Sequence, residues 1–133
     1  MKYTCKIVRV IDGDTVMVDI SLGFGVTLNE VLIRIKGIDA PEIHSTDVNA
    51  KKQGYLCKSK VESTLLVKSL LITDEVRDKY GRILGDFETD SGLLSEYLIK
   101  NNYAVSYNGE NKDTVTASHL KNREILVERK ELC

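Results

Sequence analysis

The chain has 133 residues, of which 42% are hydrophobic and 29% charged, and its formal net charge at pH 7 is -1. These proportions are typical of a folded globular protein and exclude a disordered or collagen-like chain. The length predicts one domain covering residues 1–133, because it suffices for a single hydrophobic core. The near-neutral charge excludes a protein that coats nucleic acid by electrostatics alone.

Three cysteines, Cys5, Cys57 and Cys133, are odd in number and widely spaced. We therefore expect reduced thiols rather than a disulfide framework or a zinc site. The chain contains no signal-peptide pattern and no apolar stretch of the roughly 18 residues that span a membrane. These observations predict a cytoplasmic protein without a membrane segment, and we expect a monomer with no obligate protein partner.

The first part of the chain has the alternation of apolar and polar residues that predicts β-strands at 3–11, 15–20 and 28–38. An Asp-Gly pair between the first two runs is a strong signal for a hairpin. A glycine-bearing turn joins the second run to the third. We therefore expect three antiparallel strands in a meander.

After the only proline, Pro41, the period changes. Within a charged segment from about 49 to 68, one set of residues recurs at helical spacing: Gly54, Cys57, Val61, Thr64 and Leu65. This pattern predicts a first helix with these residues on one face. Apolar runs at 70–76 and 83–89, separated by the turn "DKYGR", predict a second hairpin.

Two more helices are expected. Leucines and a tyrosine between 93 and 98 mark a short helix, with Asp90 or Ser91 as its N-cap, and a last helix follows from about 116 to 130. Together these elements predict an α+β, mainly β fold: a five-stranded OB-type β-barrel capped by three α-helices. Such barrels commonly bind oligonucleotides or oligosaccharides on an open face.

Acidic residues lie at two strand ends. Asp12 and Asp14 flank Gly13 in the first hairpin, and Asp39 directly follows the third strand. Carboxylate oxygens at neighbouring strand ends, together with a backbone carbonyl, suit a hard cation such as Ca²⁺. The alternative is that "DGD" is ordinary turn chemistry without a metal.

Two arginines lie at positions that suit phosphate recognition. Arg34 is in the third strand, on the face opposite Ile33 and Ile35, and Arg82 closes the "DKYGR" turn. Two guanidinium groups on one phosphate can donate paired hydrogen bonds and stabilise the charge that grows during displacement. The alternative is that each arginine is a surface residue whose stem covers the sheet.

Glu42 directly follows Pro41, and the fixed φ of proline should keep the path from Asp39 to Glu42 rigid. A carboxylate held beside a metal can take a proton from a water that attacks phosphorus. The alternative is a glutamate that simply begins a helical turn.

Three motifs, "VIDGDTV" (10–16), "RIKGIDAPE" (34–42) and "DKYGR" (78–82), resemble the staphylococcal nuclease, or thermonuclease, family in the same order. The likeness extends from about 6 to 132 and includes "HLKNRE" (119–124) in the last helix. It implies an OB-type barrel with three helices and a thermonuclease-like endonuclease, a hydrolase that cleaves phosphodiester bonds of DNA and RNA with Ca²⁺ as cofactor. Low sequence specificity and a preference for single-stranded substrate are expected.

The resemblance also implies three sets of site residues. They are Arg34, Glu42 and Arg82 for catalysis, Asp14, Asp39 and the carbonyl of Ala40 for Ca²⁺, and Lys79, Tyr80 and Tyr107 for the nucleic acid substrate. Ala40 stands where the family often has threonine, and alanine keeps the carbonyl. Tyr103 is an alternative to Tyr107 as the stacking residue, and either can instead be a half-buried core tyrosine.

We assign neither histidine a role in function: His44 is expected to be an exposed loop residue and His119 a structural residue of the last helix. The rival function is a non-catalytic OB-fold module that binds nucleic acid or protein. The presence of Arg34, Glu42 and Arg82 together favours the enzyme. A specialised nucleic acid substrate, delivered by a partner, is a third possibility that the sequence does not separate from general degradation.

Overall fold

The structure is a computed structural model that describes residues 1–132. Within these residues, short strands and helices accompany five long strands. In chain order the elements are β1 (Lys2–Asp12), β2 (Thr15–Gly23), β3 (Val26–Ile35), β4 (Ile38–Asp39), α1 (Val48–Thr64), β5 (Lys68–Arg77), β6 (Ile83–Thr89), β7 (Gly92–Leu93), α2 (Leu94–Lys100), β8 (Val105–Ser106) and α3 (Lys112–Glu128).

The five long strands form a closed barrel. They are hydrogen-bonded in the order β3-β2-β1-β5-β6, and β3 then pairs with β6 in parallel, with Ile33 opposite Ile83. The other neighbouring pairs are antiparallel. The predicted fold class, a mainly β five-stranded OB-type barrel with three helices, is confirmed. The short strands were not predicted: β7 extends the sheet, and β4 pairs with β8.

The period-2 alternation decides which residues fill the barrel. Val16 and Val18 on β2 and Ile33 and Ile35 on β3 are fully buried, so the alternate positions of these strands face outward. The predicted inner face of α1 is also confirmed, with Gly54, Cys57 and Val61 buried and Leu65 buried just beyond the helix. This helix therefore covers the barrel beside the first hairpin.

Two of the predicted elements, the third strand and the first helix, were too long at their C-terminal ends. The third strand ends at Ile35 because the chain turns at Gly37, whose φ is 83°, before it resumes as β4. The first helix ends at Thr64 rather than near 68. The next residues already join the sheet, since Ile7 N donates to Val67 O at 2.8 Å.

The predicted N-cap of the second helix, Asp90 or Ser91, is wrong. Leu93 is the N-cap residue and supplies no side-chain bond. Instead the carboxylate of Asp86, on β6, accepts hydrogen bonds from the backbone N–H of Ser95 at 3.1 Å and from its hydroxyl. The carboxylate of Asp86, on a neighbouring strand, thus caps the helix in place of a side chain at the N-cap position.

The last helix begins at Lys112, four residues earlier than predicted. Asn111 caps it by accepting a hydrogen bond from Thr114 N at 2.8 Å. Cys5 and Cys57 are buried free thiols, whereas Cys133 lies outside the described residues. In residues 1–132 we find no helix with the length and apolar character needed to cross a membrane.

Candidate active site

The turn between β1 and β2 packs tightly against α1. Gly13 is buried, and a Cβ on it would lie 2.5 Å from Cys57 Sγ and 2.8 Å from Ala40 Cβ. Only a residue without a side chain allows this approach. The glycine therefore sets the distance between the acidic turn and the segment that carries Ala40.

The strand ends meet around the carboxylate of Asp14. Its Oδ2 accepts a hydrogen bond from Ala40 N at 3.0 Å and lies 3.5 Å from Arg34 Nη2, while its Oδ1 accepts from Thr15 Oγ1 at 3.2 Å. Asp39 immediately precedes Ala40. We call Asp12, Asp14, Arg34, Asp39 and Ala40 the strand-end cluster.

Negative charge is concentrated in this cluster. Burial raises the pKa of Asp12 to about 7, and the hydrogen bonding and charge of Asp14 and the charge of Glu42 add to the shift. Asp14 N also donates to Asp12 Oδ1 at 3.0 Å, which opposes it. Neighbouring carboxylates disfavour one another's ionised forms, so a cation bound between them would relieve the repulsion.

Arg34 holds the turn that follows its own strand. Its guanidinium donates to Ile35 O at 2.7 Å and to Ile38 O at 2.9 Å. Its neighbours Ile33 and Ile35 are inside the barrel, so Arg34 lies on the outer face. Two of the five guanidinium N–H groups serve these carbonyls.

The "DKYGR" turn forms a second group of residues, which we call the turn cluster: Asp78, Lys79, Tyr80 and Arg82. Asp78 accepts hydrogen bonds from Arg82 N at 2.9 Å, Arg82 Nε at 2.7 Å and Tyr80 N at 2.9 Å. Desolvation raises the pKa of Asp78, but these bonds and the charge of Arg82 outweigh it and hold the pKa below its usual value. The carboxylate thus fixes the arginine.

Tyr80 is 72% exposed as a residue, which leaves its side chain accessible to a ligand. Lys79 Nζ lies 5.2 Å and Arg82 Cζ 5.3 Å from the ring centroid, both within the range of cation–π contacts. The turn cluster therefore presents two cations and an aromatic face together.

The parallel pairing of β3 and β6 relates the two clusters. Ile33 and Ile83 are opposite each other and both point inward. Arg34 follows Ile33 and Arg82 precedes Ile83, so both arginines lie on the outer face. They are offset by two residues, or roughly 7 Å along the strands. The sequence could not show this proximity, because only the closure of the barrel creates it.

Glu42 lies at a groove of about 430 Å³ between residues 39–42 and the first half of α3. Its carboxylate accepts a hydrogen bond from His44 N at 3.3 Å, and both side chains are exposed, as expected for His44. A Cβ on Gly54 of α1 would lie 2.8 Å from Pro41 O, so the glycine lets the helix approach this segment.

Tyr107 also lines the groove, with 38% of its surface exposed and its N–H donated to Gly37 O at 2.9 Å. Tyr103 is only 6% exposed, and its hydroxyl donates to Glu131 at 2.5 Å. Burial removes Tyr103 as the alternative stacking residue, because neither ring face is accessible.

The sequence did not predict the contact between His119 and Asp39. His119 Nε2 lies 2.8 Å from Asp39 Oδ2, although His119 was interpreted only as a structural residue of the last helix. The motif "HLKNRE" placed it in that helix without indicating which loop it would face. The partners are 80 residues apart in the chain, so no local pattern could have revealed the pair.

The side chains at the strand ends have the chemistry of a hard-cation site. Within residues 1–132, no group of three His, Cys, Asp or Glu side chains is close enough to hold a metal by itself. The predicted ligand set needs only the carboxylates of Asp14 and Asp39, since its third member is the carbonyl of Ala40. All three are oxygen donors, the type that Ca²⁺ prefers.

Comparison with known proteins decides the family. The chain matches the family described as "Staphylococcal nuclease homologue" over residues 32–131. It belongs to that family. The resemblance inferred from the three motifs is thereby confirmed, and the barrel is the one expected for staphylococcal nuclease homologues.

Relatives come from bacteria and an archaeon. The chain is 34% identical to an uncharacterized endonuclease of Escherichia coli, over 83% of this chain and 65% of the relative. It is 33% identical to endonuclease YhcR of Bacillus subtilis (strain 168), over 80% of this chain and 9% of the relative. The chain is 35% identical to an uncharacterized protein of Methanocaldococcus jannaschii, over 84% of this chain and 63% of the relative. The chain therefore spans less than two thirds of each of these relatives.

Proposed function

We propose that this protein is a Ca²⁺-dependent nuclease that hydrolyses phosphodiester bonds of DNA or RNA with low sequence specificity. Membership of the staphylococcal nuclease homologue family and the endonuclease names of two relatives support a nuclease. The observation that carries the proposal is the hydrogen bond from Ala40 N to Asp14, which joins two acidic strand ends beside Arg34.

In this proposal Asp14, Asp39 and the Ala40 carbonyl hold Ca²⁺. When bound, Ca²⁺ supplies a Lewis acid for an oxygen of the scissile phosphate. Asp12 and the buried Thr15 support the turn that carries Asp14.

The arginines neutralise the phosphate during displacement. Arg82, fixed by Asp78, and the N–H groups of Arg34 that do not serve carbonyls donate to the phosphoryl oxygens. Their hydrogen bonds strengthen as charge grows on those oxygens, which lowers the barrier. Glu42 orients or deprotonates the attacking water, so no covalent enzyme intermediate is required.

Substrate contacts come from both sides of this centre. Lys79 and Tyr80 bind phosphate next to the scissile bond, and the exposed rings of Tyr80 and Tyr107 stack on bases. Stacking requires unpaired bases, which favours single-stranded DNA or RNA. Phosphate and aromatic contacts read no base edges, so sequence preference should be low.

The test is cleavage of end-labelled single-stranded DNA with Ca²⁺ and then with chelator. Glu42→Gln and Arg82→Ala should each reduce the rate by roughly 10²- to 10³-fold, the usual cost of removing one group that stabilises the transition state. Glu62→Gln and Lys36→Ala are matched controls, because both residues are exposed and lie outside the clusters. Both controls should cleave at the wild-type rate.

Cleavage that persists in chelator, or that survives both substitutions, contradicts the proposal. If no buffer supports cleavage while single-stranded DNA still binds, the protein is a non-catalytic binding module. Parallel assays with RNA and duplex DNA measure the substrate preference.

A further inference from the structure

The imidazole of His119 reaches from α3 into the strand-end cluster. Its side chain is only 15% exposed, and its Nε2 lies 2.8 Å from Asp39 Oδ2. An ionised carboxylate only accepts hydrogen bonds, so Nε2 carries the hydrogen and donates it. The bond occupies one oxygen of Asp39 and leaves the other for a cation.

The second ring nitrogen of His119, Nδ1, argues against a purely structural role for this side chain. Among residues 1–132, His119 Nδ1 is the one buried side-chain nitrogen or oxygen without a hydrogen-bond partner. A buried polar atom without a partner is destabilising, and an apolar side chain of similar size would avoid that cost. The side chain's hydrogen bonding is thus directed to Asp39.

The backbone of His119 is itself held from the core. Gln53 of α1 is 1% exposed, and its Nε2 donates to His119 O at 3.0 Å. Its Oε1 accepts from Arg123 Nε at 3.2 Å, one helical turn further along α3. Leu126 is the buried residue of α3, so polar bonds rather than apolar burial fix the helix at His119.

We infer that His119 is a positioning residue that orients the Asp39 carboxylate for the cation. Gln53 fixes the backbone of His119, and His119 fixes the plane of the carboxylate. Asp39 is exposed by about a third and lies next to a groove, so without this bond its side chain would sample several rotamers. The inference rests on the proposed function, in which Asp39 is a ligand of Ca²⁺.

The test compares His119→Leu, which removes the donor, with His119→Gln, whose amide nitrogen can donate from a similar position. Leu120→Ala is the control, because Leu120 is the exposed neighbour of His119. Two quantities are measured: the Ca²⁺ concentration for half-maximal cleavage of single-stranded DNA, and the rise in Tm that Ca²⁺ alone produces. The second quantity does not require activity.

His119→Leu should raise the half-maximal Ca²⁺ concentration by roughly 10-fold or more, as expected when a group that orients a metal ligand is removed. Its kcat at saturating Ca²⁺ should stay near that of the wild type, and its Tm in chelator should not fall. The Ca²⁺-induced rise in Tm should shrink. His119→Gln should recover most of both effects, and Leu120→Ala should show neither.

A double substitution separates positioning from general damage. In an Asp39→Asn background, His119→Leu should change the Ca²⁺-induced Tm rise no further, because the residue through which it acts is already altered. Equal impairment by His119→Leu and His119→Gln, or unchanged Ca²⁺ dependence in both, overturns the inference.

Failure of the proposed function gives a different result. A wild-type protein that is stabilised by Ca²⁺ but does not cleave would refute the nuclease, and the Tm series would still decide the role of His119. A wild-type protein that neither cleaves nor gains Tm with Ca²⁺ would refute both.

Discussion

The strand-end cluster and the turn cluster are built in opposite ways. In the turn cluster, the bonds that fix Arg82 come from Asp78, four residues away. In the strand-end cluster, Asp14 bonds a residue 26 positions away, and Asp39 bonds one 80 positions away. The turn cluster is therefore a property of a short peptide, whereas the strand-end cluster is a property of the whole fold.

This difference predicts which substitutions act at a distance. Changes in α1 or α3 should disturb the acidic strand ends and the proposed Ca²⁺ affinity. They should leave the arginine and aromatic groups of the turn cluster in place. Substitutions inside the turn should do the reverse and alter substrate binding or the cleavage rate without altering Ca²⁺ dependence.

Among the substitutions that test this contrast between the clusters, Arg34→Lys should have the largest effect, because it keeps the charge of the strand-end cluster but removes the planar guanidinium. Lysine cannot serve Ile35 O and Ile38 O and also donate paired bonds to phosphate. We expect kcat to fall roughly 10²-fold. Single-turnover cleavage at saturating Ca²⁺ measures it, with Lys36→Arg as the control. A loss confined to KM would show that Arg34 serves substrate binding alone.

Gly13→Ala should disturb the strand-end cluster through packing. The new Cβ would overlap Cys57 Sγ, which is fully buried, and Ala40 Cβ, which packs against the core, so neither can move freely. Overpacking of this kind costs about 1–3 kcal/mol of stability. Thermal unfolding in chelator measures the loss, and the Ca²⁺ dependence should weaken as well.

The matched control for Gly13→Ala is the double variant with Cys57→Ala, which removes the sulfur. Gly13→Ala should lower the Tm less in the Cys57→Ala background than in the wild type, because the sulfur that the new Cβ would overlap is absent. Full stability in Gly13→Ala would mean that the turn is not packed tightly and that the strand ends tolerate displacement.

Asp78→Asn should affect the turn cluster alone. Asparagine keeps an oxygen for the backbone N–H groups but loses the charge that fixes Arg82. Such pairs contribute little, so we expect kcat/KM to fall only about 2- to 5-fold. The half-maximal Ca²⁺ concentration should not change. A shift in Ca²⁺ dependence would show that the two clusters are coupled.

The pH dependence of the turn follows from the low pKa of Asp78. A lowered pKa means that the contribution of the carboxylate to stability is present above its unfolded value. It is lost only as the pH falls through the folded value. The turn should therefore keep its structure throughout the mildly acidic range.

The same contrast explains how much the sequence could predict. Local patterns predicted the "DKYGR" turn, the outward position of Arg34 and the inner face of α1, because each depends on neighbouring residues. They could not predict the pairing of β4 with β8 or the bond between His119 and Asp39. Those contacts form only when the barrel closes and α3 packs beside it, and that packing also buries Tyr103.

The last prediction concerns Asp12, whose pKa of about 7 reflects burial and the charges of Asp14 and Glu42. A carboxyl whose pKa is raised by folding contributes stability that is fully present below its unfolded pKa and is lost as the pH rises towards 7. Asp12→Asn removes this loss. In chelator its Tm should exceed that of the wild type by roughly 2–6 °C at pH 8 and much less at pH 4.

Added Ca²⁺ should reduce the advantage of Asp12→Asn at pH 8, because a cation compensates the same repulsion that the substitution removes. Asp19→Asn is the control, since Asp19 lies on the outer part of β2, away from the cluster. An advantage that is independent of pH would mean that Asp12 acts through hydrogen bonding rather than charge. The strand-end cluster would then hold less repulsion than its geometry implies, and the case for a cation there would weaken.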